Sequence, residues 1–166
     1  GGSTEFIFAD ENGVNEMVSL NIGISRIYQE LELSLSDPAK DDEVLKIEKW
    51  LEEKSYHFFE GISQDILIGA SGTFETFYEL IFNKTFPLTK ECYDLPLDLM
   101  LKKLDDIIFS TSEKRNQNEF LIPIRKKLAP IAAIKTRWVL KKLNVKKVLV
   151  SPCSLKEGAM LEGELV

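Results

Sequence analysis

The sequence predicts a single α/β domain over residues 1–166, because segments with strand character alternate with helices long enough to connect parallel strands. Residues 4–9 and 14–22 are rich in apolar side chains and flank an Asp-Glu-Asn-Gly turn, which is typical of a β-hairpin. Short apolar runs at residues 65–68 and 145–151 predict two more strands, the first of them buried. We therefore expect a mixed sheet with an N-terminal hairpin and flanking helices.

Apolar residues at helical spacing predict the first two helices. One runs from residue 24 to about residue 35 and is ended by the Ser-Asp-Pro sequence at residues 36–38. The next begins at Asp41 or Asp42 as the helix cap. Its predicted apolar face consists of Val44, Ile47, Leu51 and Phe58.

The rest of the chain is predicted to be mostly helical. A helix entered near residue 73 carries an aromatic stripe that we interpret as core. Residues 97–109 and 124–143 are predicted helices, and Pro130 should bend the second or delay its start. A last short helix is predicted over residues 154–161. The stretches between these helices, residues 84–96 and 111–119, are predicted to be loops.

The composition favours a globular protein that works in the cytoplasm. Hydrophobic residues make up 44% of the chain. No run approaches the roughly 18 consecutive apolar residues of a transmembrane helix, and no signal-peptide pattern is present. Cys92 and Cys153 are predicted to be free thiols, and His57 to be a structural residue near a helix end. We therefore expect no membrane contact.

Charge is distributed unevenly along the chain. The net charge is −6, yet residues 125–147 hold nine basic side chains and no acidic one. Such an asymmetry can concentrate an anionic substrate, or it can be the solvated face of a helix. Both interpretations are open from charge alone. Arg125, Lys126 and Lys127 begin this segment and form the predicted polyanion patch.

Two glycine-containing loops are the candidates for phosphate binding. The first, Gly1-Gly2-Ser3-Thr4, could hold an anion on consecutive backbone N–H groups, or it could be the remnant of a linker. The second spans residues 68–74 (IGASGTF), between a predicted strand and a predicted helix. A helix N-terminus there would attract an anion, although an ordinary turn capped by Ser71 or Thr73 explains the same pattern.

Taken in order, these motifs resemble the Ppx/GppA family of exopolyphosphatases and guanosine pentaphosphate phosphohydrolases. Residues 1–5 (GGSTE) match the end of the family's D-I-G-G-G-S-x-E loop, and residues 20–26 (LNIGISR) match L-x-x-G-x-x-R. Residues 69–73 (GASGT) match its G-x-G/S-G-T turn, and residues 148–158 match a strand followed by L-R-E-G. The chain is thus similar to the second lobe of that family's catalytic core.

The resemblance implies an actin-like, ribonuclease H-like lobe facing a second lobe across a cleft. It implies Mg²⁺-assisted hydrolysis of a terminal phosphate from polyphosphate or guanosine pentaphosphate, with no nucleic-acid partner. Glu5 would lie near the metal or the attacking water. Arg26 would contact phosphate or pair with Glu30 at i+4. The implied phosphate-binding residues are Gly1, Gly2, Ser3, Gly69, Ser71, Gly72 and Thr73.

Several departures from the family pattern bear on activity. The family's general base, a Glu of the first lobe, and the Asp that opens the first loop lie outside this chain, so we expect the isolated chain to be inactive. The family's R-A-D becomes Arg125-Lys126-Lys127, and Lys156 stands where Arg is usual. Both changes make exact substrate specificity an open question.

Two other functions compete with the phosphatase interpretation. The chain could be a non-catalytic module that senses polyphosphate or (p)ppGpp, or an ATP-binding lobe of the sugar-kinase or Hsp70 type. An exposed sheet edge in such a lobe would favour a homodimer.

Overall fold

The computed structural model describes residues 1–32, 35–55, 58–87, 89, 91–154, 157 and 160, and it leaves out the side chain of Ile124. His57, Lys156 and most of the predicted 154–161 helix lie outside the described residues. The described elements form an α/β architecture with one hydrophobic core.

The N-terminal hairpin is confirmed. Strand β1 (Thr4–Asp10) pairs antiparallel with β2 (Gly13–Leu20), with a bulge between Phe8 and Ala9. Because side chains alternate across a strand, one face carries Phe6 and Phe8 inward and the other is exposed. The Phe6 ring packs edge-on against Phe59 at 5.1 Å between centroids, which fixes the hairpin to the body of the molecule.

Two helices follow, both shorter than predicted. Helix α1 (Ile24–Glu30) ends before residue 35, because the chain turns at Leu31 and Glu32 takes a left-handed φ of 47°. Helix α2 (Asp41–Lys54) is preceded by Lys40, whose N–H donates to the Glu43 carboxylate at 2.7 Å. The prediction of Asp41 or Asp42 as the cap is therefore wrong, since both lie within the first turn.

The buried face of α2 was predicted correctly except at its end. Val44, Ile47 and Leu51 are buried, together with Trp50. Phe58 lies beyond the last helical residue and is only partly buried, packing against the core from the following turn.

A three-stranded sheet occupies the other side of the core. Its order is β3 (Ile66–Ala70), β5 (Lys147–Ser151), β4 (Tyr93–Leu95), with β5 parallel to β3 and antiparallel to β4. Val148 and Val150 of β5 are fully buried. The prediction that the first of these strands is buried is wrong on one face, because Ile66 is 55% and Ile68 is 58% exposed.

Four more helices complete the described structure, and the first of them packs on β3 and β5. They are α3 (Gly72–Phe82), α4 (Leu97–Ile108), the short α5 (Ser112–Asn116) and α6 (Pro123–Lys142). Helix α6 contacts α1, α2, α4 and α5 and is therefore the central helix of the described structure. It is continuous through Pro130. Strand β4 and helix α5 lie in stretches that were predicted to be loops, so those predictions are wrong.

The aromatic stripe of α3 is core, as predicted. Phe77 and Tyr78 are buried and Phe74 is partly buried against them. Among the described residues, no helix is both apolar enough and long enough to cross a lipid bilayer.

Candidate functional site

The first glycine loop is held by its carbonyl oxygens. Gly1 O accepts a hydrogen bond from Ser25 N at 3.2 Å, and Gly2 O accepts from Gly23 N and from Arg26 Nε, both at 3.1 Å. A side chain at Gly23 would overlap the backbone of residues 1–3, so this close approach requires glycine. The start of α1 therefore fixes the loop with its carbonyls turned away from solvent.

Two backbone N–H groups of this loop have no hydrogen-bond partner among the described residues. The N–H groups of Gly2 and Ser3 make no hydrogen bond to any residue that the structure describes, and both residues are exposed. Successive backbone N–H groups without an internal acceptor can bind an anion. The loop therefore has the free donors that a candidate phosphate cradle requires.

Glu5 lies at the edge of this cradle. Its Oε1 accepts from Ser3 Oγ at 2.6 Å and from Ser19 Oγ at 3.1 Å. The Ser3 hydroxyl is the largest influence that lowers the pKa of the Glu5 carboxyl below its usual range, with Ser19 and Lys135 acting in the same direction. Glu5 is therefore ionised at neutral pH and able to hold a cation or a water molecule.

A magnesium ion fits this carboxylate only as part of a shared site. In the part of the chain that the structure describes, no three His, Cys, Asp or Glu side chains come together. Mg²⁺ is commonly bound through one or two carboxylates together with water and substrate phosphates. Glu5 can supply one such ligand, and the remainder would have to come from substrate, water or another part of the protein.

The second loop leads into α3 through a strained residue. Ser71 occupies the position before the helix with φ 77° and ψ 168°, and its hydroxyl caps no helical N–H. The N–H groups of Gly72 and Thr73 likewise have no hydrogen-bond acceptor among the described residues. The first turn of α3 therefore keeps its donors and its positive dipole end available to an anion.

Arg125 adds a positive charge to this second loop. Its Nη1 donates to Thr76 Oγ1 at 2.6 Å, and Thr76 Oγ1 donates to Gly72 O at 2.7 Å. The guanidinium lies so close to Gly72 that a Cβ there would overlap it. A cation beside a helix N-terminus is electrostatically unfavourable, so an anion bound near both would relieve the repulsion. Gly69 faces the other way, against the Phe74 ring.

The three residues of the predicted polyanion patch diverge. Arg125 turns to α3, whereas Lys126 Nζ donates to Asn116 O at 2.7 Å. Lys127 places its ammonium 4.7 Å from the centroid of the Tyr28 ring. Lys127 lines a cleft of about 320 Å³ between α1 and α6, with Ser25, Tyr28, Gln29, Pro123 and Leu128. Only the first of the three therefore adjoins a glycine loop.

Two contacts are predicted for Arg26, one with phosphate and one with Glu30, and the structure shows the second. Its Nη1 lies 3.3 Å from Glu30 Oε1, the expected i+4 ion pair, while Nε holds Gly2 O. A direct contact between Arg26 and phosphate stays a prediction.

The structure also brings a lysine to the first loop that the sequence did not single out. Lys135 Nζ lies 2.8 Å from Thr4 Oγ1, and the side chain is half-buried between α6 and β1. Burial lowers the pKa of Lys135 to about 8, while the nearby Glu5 charge acts in the opposite direction. One sequence feature could have drawn attention to Lys135. It lies four residues after Ile131, which is buried, and therefore on the inner face of α6.

Helix α6 thus supplies one cation to each loop. Arg125 and Lys135 are ten positions apart, which corresponds to about 15 Å along the helix axis. The same helix therefore contacts both glycine loops, at two points along its length.

The chain matches the model of the Ppx/GppA phosphatase family over residues 1–165. No curated protein matches the sequence significantly. Among solved structures, an exopolyphosphatase from Cytophaga hutchinsonii is 28% identical and superposes with a TM-score of 0.85, covering 98% of this chain and 55% of that one. A Ppx/GppA phosphatase from Aquifex aeolicus, the type II variant, is 24% identical with a TM-score of 0.81.

The Aquifex structure is covered over 54% of its length and supports the fold alone. The chain therefore spans about half the length of the solved structures it matches. The prediction of an actin-like α/β lobe is confirmed, and so is the predicted family.

Proposed function

The chain belongs to the Ppx/GppA phosphatase family, and from that premise we propose that it is the second lobe of a phosphoanhydride hydrolase. Its proposed substrates are inorganic polyphosphate and guanosine pentaphosphate, from which it removes the terminal phosphate in the cytoplasm. The Cytophaga relative, an exopolyphosphatase by its description, supports the first of these substrates.

One observation carries the proposal: the first loop turns its carbonyls inward and leaves the Gly2 and Ser3 N–H groups unpartnered among the described residues. An N–H group without a hydrogen bond is costly unless water or a ligand takes it. A terminal phosphate, with several acceptor oxygens, matches such a cluster. Gly72, Thr73 and Arg125 would bind another phosphate of the same substrate from the second loop.

The chain's own residues would position rather than cleave the substrate. Phosphoryl transfer depends mostly on alignment and charge neutralisation, so donors aimed at the phosphate oxygens lower the barrier directly. Glu5, with its orientation set by Ser3 and Ser19, would hold Mg²⁺ or the attacking water. When bound, Mg²⁺ would supply charge neutralisation at the phosphate oxygens.

We assign no general base within this chain. The proposal places that base on the other lobe, so the 166-residue chain should bind phosphate chains without hydrolysing them.

The test is phosphate release from polyphosphate and from guanosine pentaphosphate by the two-lobed protein, comparing Ser3→Ala and Glu5→Gln with the parent. Glu11→Gln, in the exposed turn of the hairpin, is the matched control. We expect each site variant to lose about 10- to 100-fold in kcat/KM and the control to lose nothing. Parental rates in both site variants would refute the assignment. Binding without turnover by the parent would favour the non-catalytic sensing module.

A further inference from the structure

Lys135 lies near the site, and the proposed function does not use it. It lies on the buried side of α6, next to Ile131 and Ile134, yet it carries an amine. Among the described residues, no carboxylate comes within ion-pair distance of Nζ, and the hydroxyl of Thr4 is its hydrogen-bond partner. A half-buried ammonium with only a neutral partner costs stability rather than adding to it.

The cation lies where it can influence the first loop. Thr4 directly follows the three loop residues and begins β1. Thr4 Oγ1 also lies 3.4 Å from Ile22 O, one residue before the glycine that holds Gly2. A movement of Thr4 would therefore displace both the loop and the segment that fixes it. The ammonium is also close enough to Glu5 to offset part of its negative charge.

We propose that Lys135 is a positioning residue for the first loop: its ammonium fixes Thr4 and offsets the Glu5 carboxylate, so that an anion can bind to the Gly2 and Ser3 N–H groups. This inference rests on the proposed phosphate-binding function of the loop. A bound phosphate and the Glu5 carboxylate are both negative and repel each other. Without the Lys135 ammonium, no positive charge among the described residues on the inner side of β1 would offset this repulsion.

The decisive variant is Lys135→Met, which keeps the length of the side chain and removes its charge. Lys141→Met is the matched control, because Lys141 is an exposed residue of the same helix and its loss changes net charge equally. Affinity of the 166-residue chain for tripolyphosphate is measured by calorimetric titration, alongside thermal melting. We expect Lys135→Met to weaken binding about tenfold, Lys135→Arg to restore part of it, and Lys141→Met to change it less than about twofold.

Thermal melting separates positioning from a purely structural role. If Lys135 were only a structural tether, Lys135→Met would lower the melting temperature as well as affinity. We expect Lys135→Met instead to lower affinity while its melting temperature stays equal or rises, because the substitution removes a desolvated charge. Equal affinity of Lys135→Met and the parent, or an equal loss in Lys141→Met, would overturn the inference.

A second readout does not depend on any ligand. The amides of Gly23 and Ser25 donate to the loop carbonyls, so their hydrogen exchange reports how firmly the loop is held. We expect faster exchange at both amides in Lys135→Met than in Lys141→Met. If the parent binds no tripolyphosphate but this exchange difference is found, the proposed function fails and the positioning role stands. Unchanged exchange overturns the positioning role whatever the binding result.

Discussion

Ser71, at the entrance to α3, has a φ of 77°, a backbone conformation that residues other than glycine rarely adopt. Such strain persists where the surrounding structure requires it, and it is often found at functional sites. Here the strained residue directly precedes Gly72 and Thr73, whose N–H groups have no acceptor among the described residues. The family motif accepts glycine or serine at this position, which agrees with the conformation.

Relief of this strain should be measurable. We expect Ser71→Gly to raise the free energy of unfolding by about 1 kcal/mol, since glycine adopts this φ without steric cost but loses more entropy on folding. Urea unfolding followed by circular dichroism gives the value. A destabilised Ser71→Gly variant would mean that the serine hydroxyl contributes more than the strain costs.

The Lys135 amine should also leave a signature in the pH dependence of stability. Its pKa is about 8 in the folded chain, against an ordinary value of 10.5. Below pH 8 the amine is protonated in both states, and its burial penalty is fully present. Between pH 8 and 10.5 the folded chain has lost the proton that the unfolded chain still binds, so stability rises with pH.

At about 1.36 kcal/mol per pKa unit, this rise amounts to at most about 3 kcal/mol. We expect the free energy of unfolding of the parent to increase relative to that of Lys135→Met across this range. Other titrating groups cancel in the difference between the two proteins. Parallel curves for the two proteins would show that Lys135 titrates normally.

Contacts between residues far apart in the chain explain which site residues the sequence could not reveal. The glycines, Ser3 and Ser71 carry local patterns and could be selected from the sequence. Lys135 meets Thr4 across 131 positions. Its helical spacing from Ile131 indicates the inner face of α6, but no local pattern indicates the contact with Thr4. Arg125 could be selected as basic, but its contact with Thr76 follows only from how α6 packs on α3.

At the scale of elements, Arg137 joins three helices. From α6 it donates to Asp105 of α4 at 2.7 Å and to Glu48 of α2 at 3.2 Å. Its side chain is only 13% exposed, and its Nε has no hydrogen-bond partner among the described residues. The two charged contacts must therefore offset a real desolvation cost.

Removing this side chain should loosen the helical layer. We expect Arg137→Ala to lower the free energy of unfolding by about 2 kcal/mol, because the buried stem and two charged hydrogen bonds are lost. Lys141→Ala, an exposed position one turn later on the same helix, should cost less than about 0.5 kcal/mol. Chemical denaturation of both variants supplies the comparison, and equal losses would contradict a linking role for Arg137.

Element prediction succeeded where the apolar pattern is long and failed where it is short. The hairpin, α4 and α6 have clear periodicity and were placed within a few residues. Strand β4 has three residues and exists because it pairs with β5, a partner more than fifty positions away. Helix α5 has five residues and depends on Thr111, which accepts from Lys114 N at 3.2 Å.

At the scale of the whole molecule, the described strands form two separate sheets rather than one. The hairpin stands apart from the β3-β5-β4 sheet, and β3 lies at the edge of that sheet. The predicted mixed sheet and N-terminal hairpin are both present, whereas strand character alone does not reveal which edges pair. Homodimerisation through such an edge stays a prediction.

Helix α6 connects the two halves of this arrangement. Through Lys135 it reaches the hairpin and the first loop, and through Arg125 it reaches the second loop beside β3. We propose that these two loops together bind one anionic substrate, each holding a different phosphate. That claim concerns specific backbone N–H groups and can be tested without catalysis.

The most direct test is titration of the ¹⁵N-labelled chain with tripolyphosphate, following backbone amide chemical shifts. We expect the amides of Gly2, Ser3, Gly72 and Thr73 to shift most and to follow a single dissociation constant, with weaker binding as salt increases. Unperturbed loop amides, with shifts confined to the neighbourhood of Lys126 and Lys127, would contradict it.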